Sequence, residues 1–329
     1  MKTRMTDLLN IKYPIMCGGM MYLNVPEFCA AISNTGAMGN LTAQMYPTKE
    51  EFRKALNQTR KLTVNPFSVN ITSIPSIKVT KQNHLDYFNV CCEEQVTAVE
   101  VSGAPLDKYF GPQSIDKAHK AGVKLIHKVG CVRHAVHAEH AGYDAVIAAG
   151  VEEGGHPLND DVTTMVLTPR IRESVEIPVI TAGGIADGRG LAAALMLGAD
   201  GVLMASRFVA TKECWVANRV KEEIVRKQEF ETALVARTTG FQLRSWLNQC
   251  SRKILEIEDR KGKFEEFFPY MAGDRMLKGL RSGDVDDFCF AVGQSIGLIH
   301  DVSTCQEVVD RMVNEVKGII ERGRIYFDQ

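Results

Sequence analysis

The stretch PVITAGGIADGRGLAAALMLGADGVLMAS, residues 178–206, decides the fold. It contains two short apolar runs, at 178–184 and 201–206, on either side of a helix-length segment from Arg189 to Leu197. Apolar residues at consecutive positions are typical of strands that are covered on both faces of a parallel sheet. Gly198 follows the helical segment, and glycine suits the left-handed position at a helix C-terminus. The stretch therefore predicts a strand, a helix and a second parallel strand in succession.

The same unit repeats along the first two-thirds of the chain. Glycine followed by an apolar run recurs in NTGAMGNL, KAGVKLI and HAGYDAVI. The predicted strands are residues 13–19, 38–42, 67–71, 98–103, 124–130, 144–150, 178–184 and 201–206. Between them lie helix-length segments, including Val25–Asn34, Thr48–Arg60, Ser114–Ala121 and Arg133–Ala141. Eight strand–helix units predict an α/β fold of the (β/α)8 TIM barrel type. A doubly wound sheet would favour a G-x-G-x-x-G motif after the first strand, and the sequence has none there.

The alternation of strands and helices ends near Lys227. Beyond it, residues 240–262 and 305–324 have the apolar spacing of helices, and a span rich in Gly and Asp separates them. We therefore predict two parts, a barrel at 1–227 and a mainly helical substrate-side segment at 228–329 that covers the end of the barrel where a site is expected.

The composition is that of an ordinary soluble globular protein. Of 329 residues, 45% are hydrophobic and 24% are charged, and the formal net charge is -1. Without a basic excess, neither nucleic acid nor an anionic membrane is an expected partner. No signal peptide or membrane-spanning run is found, so we expect a cytoplasmic protein. The nine cysteines form no C-x-x-C and are expected to be reduced and mostly buried.

Strands seven and eight end in small residues that suit a phosphate. In a TIM barrel, a phosphate commonly lies at the loops after these two strands. Gly183 and Gly184 let backbone N–H groups approach an anion without obstruction by a Cβ atom, and Ser206 adds a hydroxyl donor. The alternative is that the glycines only form tight turns. The combination at two neighbouring strand ends favours a phosphorylated cofactor or a substrate phosphate.

Five motifs together carry a family resemblance. They are YPIMCGGM (13–20), HKVGCVRHA (127–135), EEGGHP (152–157), ITAGGIADGRGLAAALMLGADGVLMASRFVATKE (180–213) and GLIHDVSTCQEVVDRM (297–312). The chain resembles the nitronate monooxygenase family, formerly called 2-nitropropane dioxygenases, and the related barrel-type enoyl-ACP reductases. The resemblance implies a TIM barrel that holds non-covalent FMN, with a helical second domain over the flavin.

The resemblance also implies which residues hold FMN. The expected set is Gly183, Gly184, Ala205 and Ser206 at the phosphate, and Gly19, Met20, Asn70, Lys128, Gly154 and Gly155 along the isoalloxazine. A lysine suits this place because reduction builds negative charge at the pyrimidine edge of the flavin. Lys128 could instead form a surface salt bridge, but its apolar run KLIHKV favours an interior position with an anionic partner. The chain departs from its relatives at Ala149, where they usually have an acidic residue, and at Ala205-Ser206, where they have Gly-Thr.

His156 is the predicted catalytic residue. It follows strand six, and therefore lies on the catalytic rim of the predicted barrel. Gly154 and Gly155 let the chain fold close over a flat ring, and Pro157 restricts His156 to an extended backbone. Histidine has the ordinary pKa best suited to proton transfer near neutral pH. The alternative is a solvated loop histidine. In the resembled monooxygenases this residue removes the α-proton of a nitroalkane or contacts a nitronate, and in the reductases it lies beside the substrate carbonyl.

Other candidates for chemistry are weaker. The positions Cys131, His134, His137 and His140 recur every three residues on one predicted helix, and we interpret them as its polar face, so no metal site is predicted. The carboxylates after strand six are interpreted as solvated loop residues, and a local structural contact is expected first for Glu152: Glu152, Glu153, Asp160 and Asp161.

The resemblance leaves three functions open. The first is oxidation of an alkyl nitronate, or a nitroalkane, by O2 to a carbonyl compound and nitrite with FMN as cofactor. The second is an NAD(P)H-dependent FMN reductase of an enoyl thioester or a quinone, since fold and cofactor do not choose the reaction. The third is a non-catalytic flavin-binding protein. The expected partners are a small-molecule substrate and, for the second function, NAD(P)H. The sequence leaves open whether the protein forms a homodimer.

Overall fold

A computed structural model describes residues 1–73, 79–158 and 160–324. Eight parallel strands form one sheet in the order β1-β8-β7-β6-β5-β4-β3-β2. Their bounds are β1 (Ile15–Cys17), β2 (Gly39–Thr42), β3 (Phe67–Thr72), β4 (Ala98–Ser102), β5 (Lys124–Val129), β6 (Ala145–Ala149), β7 (Val179–Ala182) and β8 (Gly201–Met204). Met16 and Met38 form a parallel bridge between the two ends of this order, and Cys17 N donates to Met38 O at 2.8 Å. The sheet therefore closes, and the predicted TIM barrel with its eight strands is confirmed.

Helices surround the barrel and follow its strands. Their bounds are α1 (Arg4–Leu9), α2 (Pro26–Ser33), α3 (Lys49–Leu62), α4 (Lys81–Glu93), α5 (Leu106–Tyr109), α6 (Gln113–Lys120), α7 (Val132–Ala141), α8 (Thr164–Arg172), α9 (Gly188–Met196), α10 (Ser206–Val209), α11 (Asn218–Arg226), α12 (Gln249–Asp259), α13 (Phe264–Met271), α14 (Gly273–Ser282) and α15 (Cys305–Arg324). The five helices named from the sequence correspond to α2, α3, α6, α7 and α9. Gly142 and Gly198 end two of these segments with φ of 98° and 92°, the left-handed geometry expected of them. Within the described ranges, no helix combines the length and the apolar character that crossing a membrane requires.

The segment after the barrel is not helical throughout. Residues 240–262 were predicted to form one helix, but Leu243–Trp246 form strand β10, which pairs antiparallel with β9 (Thr232–Val235). Helix α12 begins only at Gln249, because the Asn248 side chain accepts a hydrogen bond from Ser251 N and caps the helix there. All four β10 residues are buried, so long-range pairing decides this segment and local apolar spacing does not.

The last helix packs against the barrel. Helix α15 contacts α9 and α2, and a carboxylate oxygen of Glu315 accepts a hydrogen bond from Gly188 N at 2.7 Å. Val308, Val309 and Met312 of this helix share one apolar cluster with residues of β1 and β8. The chain thus leaves the barrel after β8, forms the β9–β10 pair and helices α12 to α14, and returns. A domain boundary at residue 227 stays a prediction, and residues 325–329 at its far end lie outside the described residues.

The interior of the barrel divides into an apolar and a polar layer. Met5 and Leu9 of α1 pack with interior side chains such as Met38, Ala98 and Ile126 and close the N-terminal end. Side chains of a strand alternate between its two faces, so the residue two positions after an interior residue also points to the interior. Two positions after Met38, Ala98 and Ile126 lie Asn40, Glu100 and Lys128, and β3 adds Asn70 to this layer. Polar groups therefore face the interior at the C-terminal end. All nine cysteines are free thiols, eight of them buried, as predicted.

Candidate active site

The sequence-predicted site residues lie at the same end of the barrel. Because the strands are parallel, their C-terminal ends form one rim. The residues follow or end different strands: Gly19 and Met20 after β1, Asn70 in β3, Lys128 in β5, Gly154, Gly155 and His156 after β6, Gly183 and Gly184 after β7, and Ala205 and Ser206 after β8. Ala149 is the last residue of β6 and is buried. The imidazole and the glycine-rich ends of β7 and β8 thus share one rim.

The loop that carries His156 is held by the segment after the barrel. Gly155 and Arg244 form an antiparallel bridge, in which Gly155 N donates to Arg244 O at 3.2 Å and Arg244 N donates to Gly155 O at 2.6 Å. A Cβ atom at Gly154 would lie 2.6 Å from the carbonyl carbon of Val292, so this position requires glycine. Strand β10 and residue 292 together hold the loop from the side of the C-terminal segment.

The His156 ring has a defined tautomer. Nδ1 lies 2.8 Å from the carbonyl oxygen of Gln242, and a carbonyl only accepts, so Nδ1 carries the proton, and Nε2 of the neutral ring is an acceptor that no described residue occupies with a hydrogen bond. Burial of the ring against surrounding protein lowers the pKa of His156, the Gln242 hydrogen bond opposes this, and the charge of Lys128 lowers the pKa further. The residue is nevertheless exposed to solvent at the rim, although protein atoms crowd its ring. A neutral imidazole near neutral pH is a competent base.

Two side chains of the C-terminal segment fix this arrangement, and sequence reasoning missed both. The buried Gln242 amide donates to Pro157 O at 3.1 Å and to Leu158 O at 2.9 Å. The buried Arg244 guanidinium donates from Nε to Val151 O at 2.8 Å and from Nη1 to a hydroxyl of β9 at 3.2 Å. Both lie in a segment that was predicted to be helical, and their partners in the loop after β6 are more than 80 positions away along the chain.

Lys128 has the anionic partners that its interior position predicted. Its Nζ atom lies 3.6 Å from Glu153 Oε2 and 3.9 Å from Glu100 Oε1. Burial lowers the pKa of Lys128, but the charges of Glu153 and Glu100 outweigh burial and leave that pKa above its ordinary value. The ammonium is therefore charged at neutral pH.

The Glu100 carboxylate, which sequence reasoning did not single out, lies at the centre of the polar layer. Its side chain is 0% exposed. It faces five donors from the ends of five strands: Gly19 N at 3.1 Å, Asn40 Nδ2 at 2.9 Å, Asn70 Nδ2 at 3.1 Å, Ser102 Oγ at 3.1 Å and Lys128 Nζ at 3.9 Å. The available signal was an acidic residue in the middle of the apolar run AVEVSG.

The two glutamates after β6 differ in their surroundings. The contact predicted for Glu152 is confirmed, since its carboxylate accepts hydrogen bonds from Thr164 N at 3.0 Å and 2.9 Å at the start of α8. The prediction of a solvated Glu153 is wrong, because Glu153 is buried beside Lys128. Burial raises the pKa of Glu153, and the Lys128 ammonium opposes that rise. Glu153 belongs to the interior charge cluster.

The ends of β7 and β8 form a small anion-suited surface. Gly183 and Gly184 have φ of 100° and 75°, and their N–H groups donate to no other backbone group in the described part of the chain. A Cβ atom at Gly183 would lie 3.0 Å from Thr164 Oγ1. The hydroxyl oxygen of Ser206 accepts from Gly293 N at 3.0 Å, which leaves its own proton available to a ligand. Free donors in a left-handed backbone are the donor set that a phosphate requires.

The histidines of α7 lie apart from this rim on the outside of the barrel. His137 Nε2 is 2.9 Å from Asp107 Oδ2, and burial lowers the pKa of His134. In the three described ranges, no three His, Cys, Asp or Glu side chains are grouped as a metal ion would require.

Comparison with known proteins gives the family. The family model described as nitronate monooxygenase matches residues 2–315. A Rhodococcus jostii protein named (3aS,4S,5R,7aS)-5-hydroxy-7a-methyl-1-oxo-octahydro-1H-indene-4-carboxyl-CoA dehydrogenase is 30% identical, over 95% of this chain and 95% of that protein. A "Probable nitronate monooxygenase" of Staphylococcus saprophyticus is 29% identical, over 98% and 99%. FabK from Thermotoga maritima superimposes with a TM-score of 0.90 at 36% identity, over 99% of each chain. The chain is an oxidoreductase that belongs to the nitronate monooxygenase family.

Proposed function

We propose that this protein oxidises alkyl nitronates, and nitroalkanes after their deprotonation, with FMN as cofactor and O2 as oxidant. The observation that carries the proposal is the neutral His156 ring, whose Nε2 is a free acceptor at the rim while Nδ1 is committed to Gln242 O at 2.8 Å. Membership of the nitronate monooxygenase family supports the substrate class.

The residues at the rim fit FMN. The free N–H groups of Gly183 and Gly184 and the hydroxyl of Ser206 would hold the phosphate. Gly19, whose added Cβ would overlap the Asn70 amide, lets the first loop lie close to the interior, where a flat ring could approach. When bound, FMN supplies the electron acceptor for the oxidation. Met20, Asn70, Gly154 and Gly155 would line its ring system.

His156 would act as the base toward a neutral nitroalkane. Its Nε2 accepts the α-proton, and Nδ1 keeps its hydrogen bond to Gln242, which supports the imidazolium that forms. The Lys128 ammonium lies close enough to influence the His156 pKa and would stabilise negative charge that develops in the site. An ionised nitronate has no α-proton to lose, so His156 would only contact it.

The test is His156→Asn with both forms of one substrate. We expect FMN-loaded, yellow protein whose rate with the neutral nitroalkane falls by roughly 10²–10⁴-fold, the usual contribution of a general base. The rate with the preformed nitronate should fall far less. Equal losses with both substrates, with the cofactor retained, would contradict the role as base. Protein that is colourless and does not bind added FMN would contradict the cofactor.

A second function has one specific observation in its favour. The Rhodococcus relative is named a dehydrogenase of a carboxyl-CoA compound, which supports a CoA thioester as the substrate class. The same His156 Nε2 would then lie beside the substrate carbonyl. Under this alternative the protein is an NAD(P)H-dependent FMN reductase of an enoyl thioester or a quinone.

Anaerobic mixing separates the two functions. Rapid loss of flavin absorbance with NADH or NADPH, and none with a nitronate, would favour the reductase. Loss of absorbance with a nitronate alone, followed by nitrite formation when O2 is admitted, would support the monooxygenase. Neither response, from protein that carries FMN, would contradict both.

A further inference from the structure

The interior glutamate of β4 has a chemistry that only a carboxylate supplies. All five groups that face Glu100 are donors, and an ionised carboxylate is the side chain that accepts on every side. Glutamine would place an NH2 group where one of the two oxygens now lies. Since donors contact both oxygens, one of them would then face another donor. The position therefore selects for negative charge as well as for shape.

This carboxylate orients groups that reach the rim. Because Glu100 Oε2 only accepts, the Asn70 amide must turn its NH2 group inward at 3.1 Å, and its oxygen accepts from Thr72 Oγ1 at 3.0 Å. The same oxygen of Glu100 accepts from Gly19 N at 3.1 Å and so fixes the loop after β1. One buried acceptor thus sets the amide orientation of Asn70 and the path of the chain at Gly19.

Glu100 also holds charge on Lys128. The titratable groups around Lys128 are Glu153 from the loop after β6, Glu100 from β4, and His156, whose neutral ring adds no charge. Glu153 is the nearer carboxylate, at 3.6 Å against 3.9 Å, and Glu100 is the more enclosed, with 0% of its side chain exposed against 9%. Enclosed charges are screened less by water and salt. Loss of Glu100 would leave one partner to offset the burial of the ammonium.

We propose that Glu100 is a positioning residue for FMN: it orients Asn70 and the loop at Gly19, and together with Glu153 it pairs the Lys128 ammonium at the cofactor site. This inference rests on the proposed FMN-dependent function. It assigns to the interior of the barrel a group that touches no substrate and acts only through its neighbours.

The first measurement is FMN affinity by fluorescence titration of the apoprotein, wild type against Glu100→Gln. Hydrogen bonds to a charged group contribute about 1.5–3 kcal/mol, so we expect FMN to bind about 10-fold to 100-fold more weakly. The affinity of the variant should also decline at a lower alkaline pH than that of wild type, because its Lys128 loses protons more easily. Glu173→Gln on the exposed end of α8 is the matched control and should bind FMN as wild type does. A Glu100→Gln protein with wild-type affinity and pH profile would overturn the proposal.

The second measurement needs no cofactor. Thermal unfolding of apoprotein is compared for Glu100→Gln, Lys128→Met and the double variant. We expect Lys128→Met to lower stability less in the Glu100→Gln background than in wild type. In wild type it leaves Glu100 as a buried charge without its cationic partner, and Glu100→Gln removes that charge. Additive losses would overturn the claimed coupling. If wild-type protein binds no FMN but the two substitutions are coupled in stability, the proposed cofactor is contradicted and the energetic pairing of Glu100 with Lys128 is still supported.

Discussion

Arg244→Met tests whether the C-terminal segment holds the loop that carries His156. The guanidinium of Arg244 donates to Val151 O at 2.8 Å and to Thr232 Oγ1 at 3.2 Å, and methionine keeps the length of the side chain without these donors. Hydrogen bonds from a charged group contribute about 1.5–3 kcal/mol each. Burial lowers the pKa of Arg244, in line with a desolvation cost that offsets part of this gain. We therefore expect the free energy of unfolding to fall by about 2–4 kcal/mol.

The assay combines urea unfolding with steady-state kinetics. Arg226→Met is the matched control, because the Arg226 side chain is 64% exposed and its partner Glu223 keeps a second ion pair with Lys227 at 3.3 Å, so its loss should cost only about 0.2–1 kcal/mol. We expect Arg244→Met to lose kcat/KM as the His156 loop loosens, while FMN affinity stays near wild type, since Arg244 contacts neither Gly183 nor Ser206 by a hydrogen bond. A variant as stable and active as Arg226→Met would refute the clamp. Parallel loss of FMN and activity would refute its separation from the cofactor site.

Three further outcomes follow from the site. Gly183→Ala adds a Cβ atom 3.0 Å from Thr164 Oγ1 at a φ of 100°, so we expect a stability loss of about 1–3 kcal/mol by urea unfolding and at least about tenfold weaker FMN binding by fluorescence. Lys128→Met should lower stability by about 3–5 kcal/mol at pH 7.5 and by less at pH 5. Without the ammonium, the folded-state pKa of Glu153, which burial already raises, rises further. The folded variant then retains a proton that the unfolded chain releases, so its stability falls as pH rises above the ordinary Glu pKa. Calorimetry at both pH values checks this difference. The rate with a neutral nitroalkane should fall as pH drops through the His156 pKa, which lies below its ordinary value of 6.5, whereas the rate with a nitronate should not show this decline; a pH profile with an acid limb common to both substrates would contradict the assignment.

The strands of the barrel could be predicted because their signals are local. Residues 145–149 are apolar at every position and are buried at every position, as a strand covered on both faces must be. Gly142 before them has the positive φ that its place after a helix predicted. The position of His156 on the rim followed from counting strands, which required no knowledge of its contacts. The interior position of Lys128 could also be predicted locally, because an ammonium within an apolar run requires a carboxylate partner.

The rest of the site depends on contacts between distant parts of the chain. Gln242 and Arg244 act on a loop more than 80 residues before them, and no spacing within 240–262 indicates that pairing. Glu153 was assigned to solvent from its loop sequence, although Lys128 draws it inward. Glu100 was overlooked because one acid in a strand has no partner in its own neighbourhood of the sequence. Charge clusters of this kind form only when the barrel closes.

The packing of α15 has a consequence for the order in which the protein is made. A growing polypeptide can pair β1 with β8 only after about 200 residues have emerged, because Ile15 lies opposite Val202. Its outer shell still lacks the helix that covers α9 until residues 305–324 follow. Nascent chains therefore expose an apolar seam along α2 and α9 for about a hundred residues of synthesis, and chaperone capture during translation should be strongest over that interval.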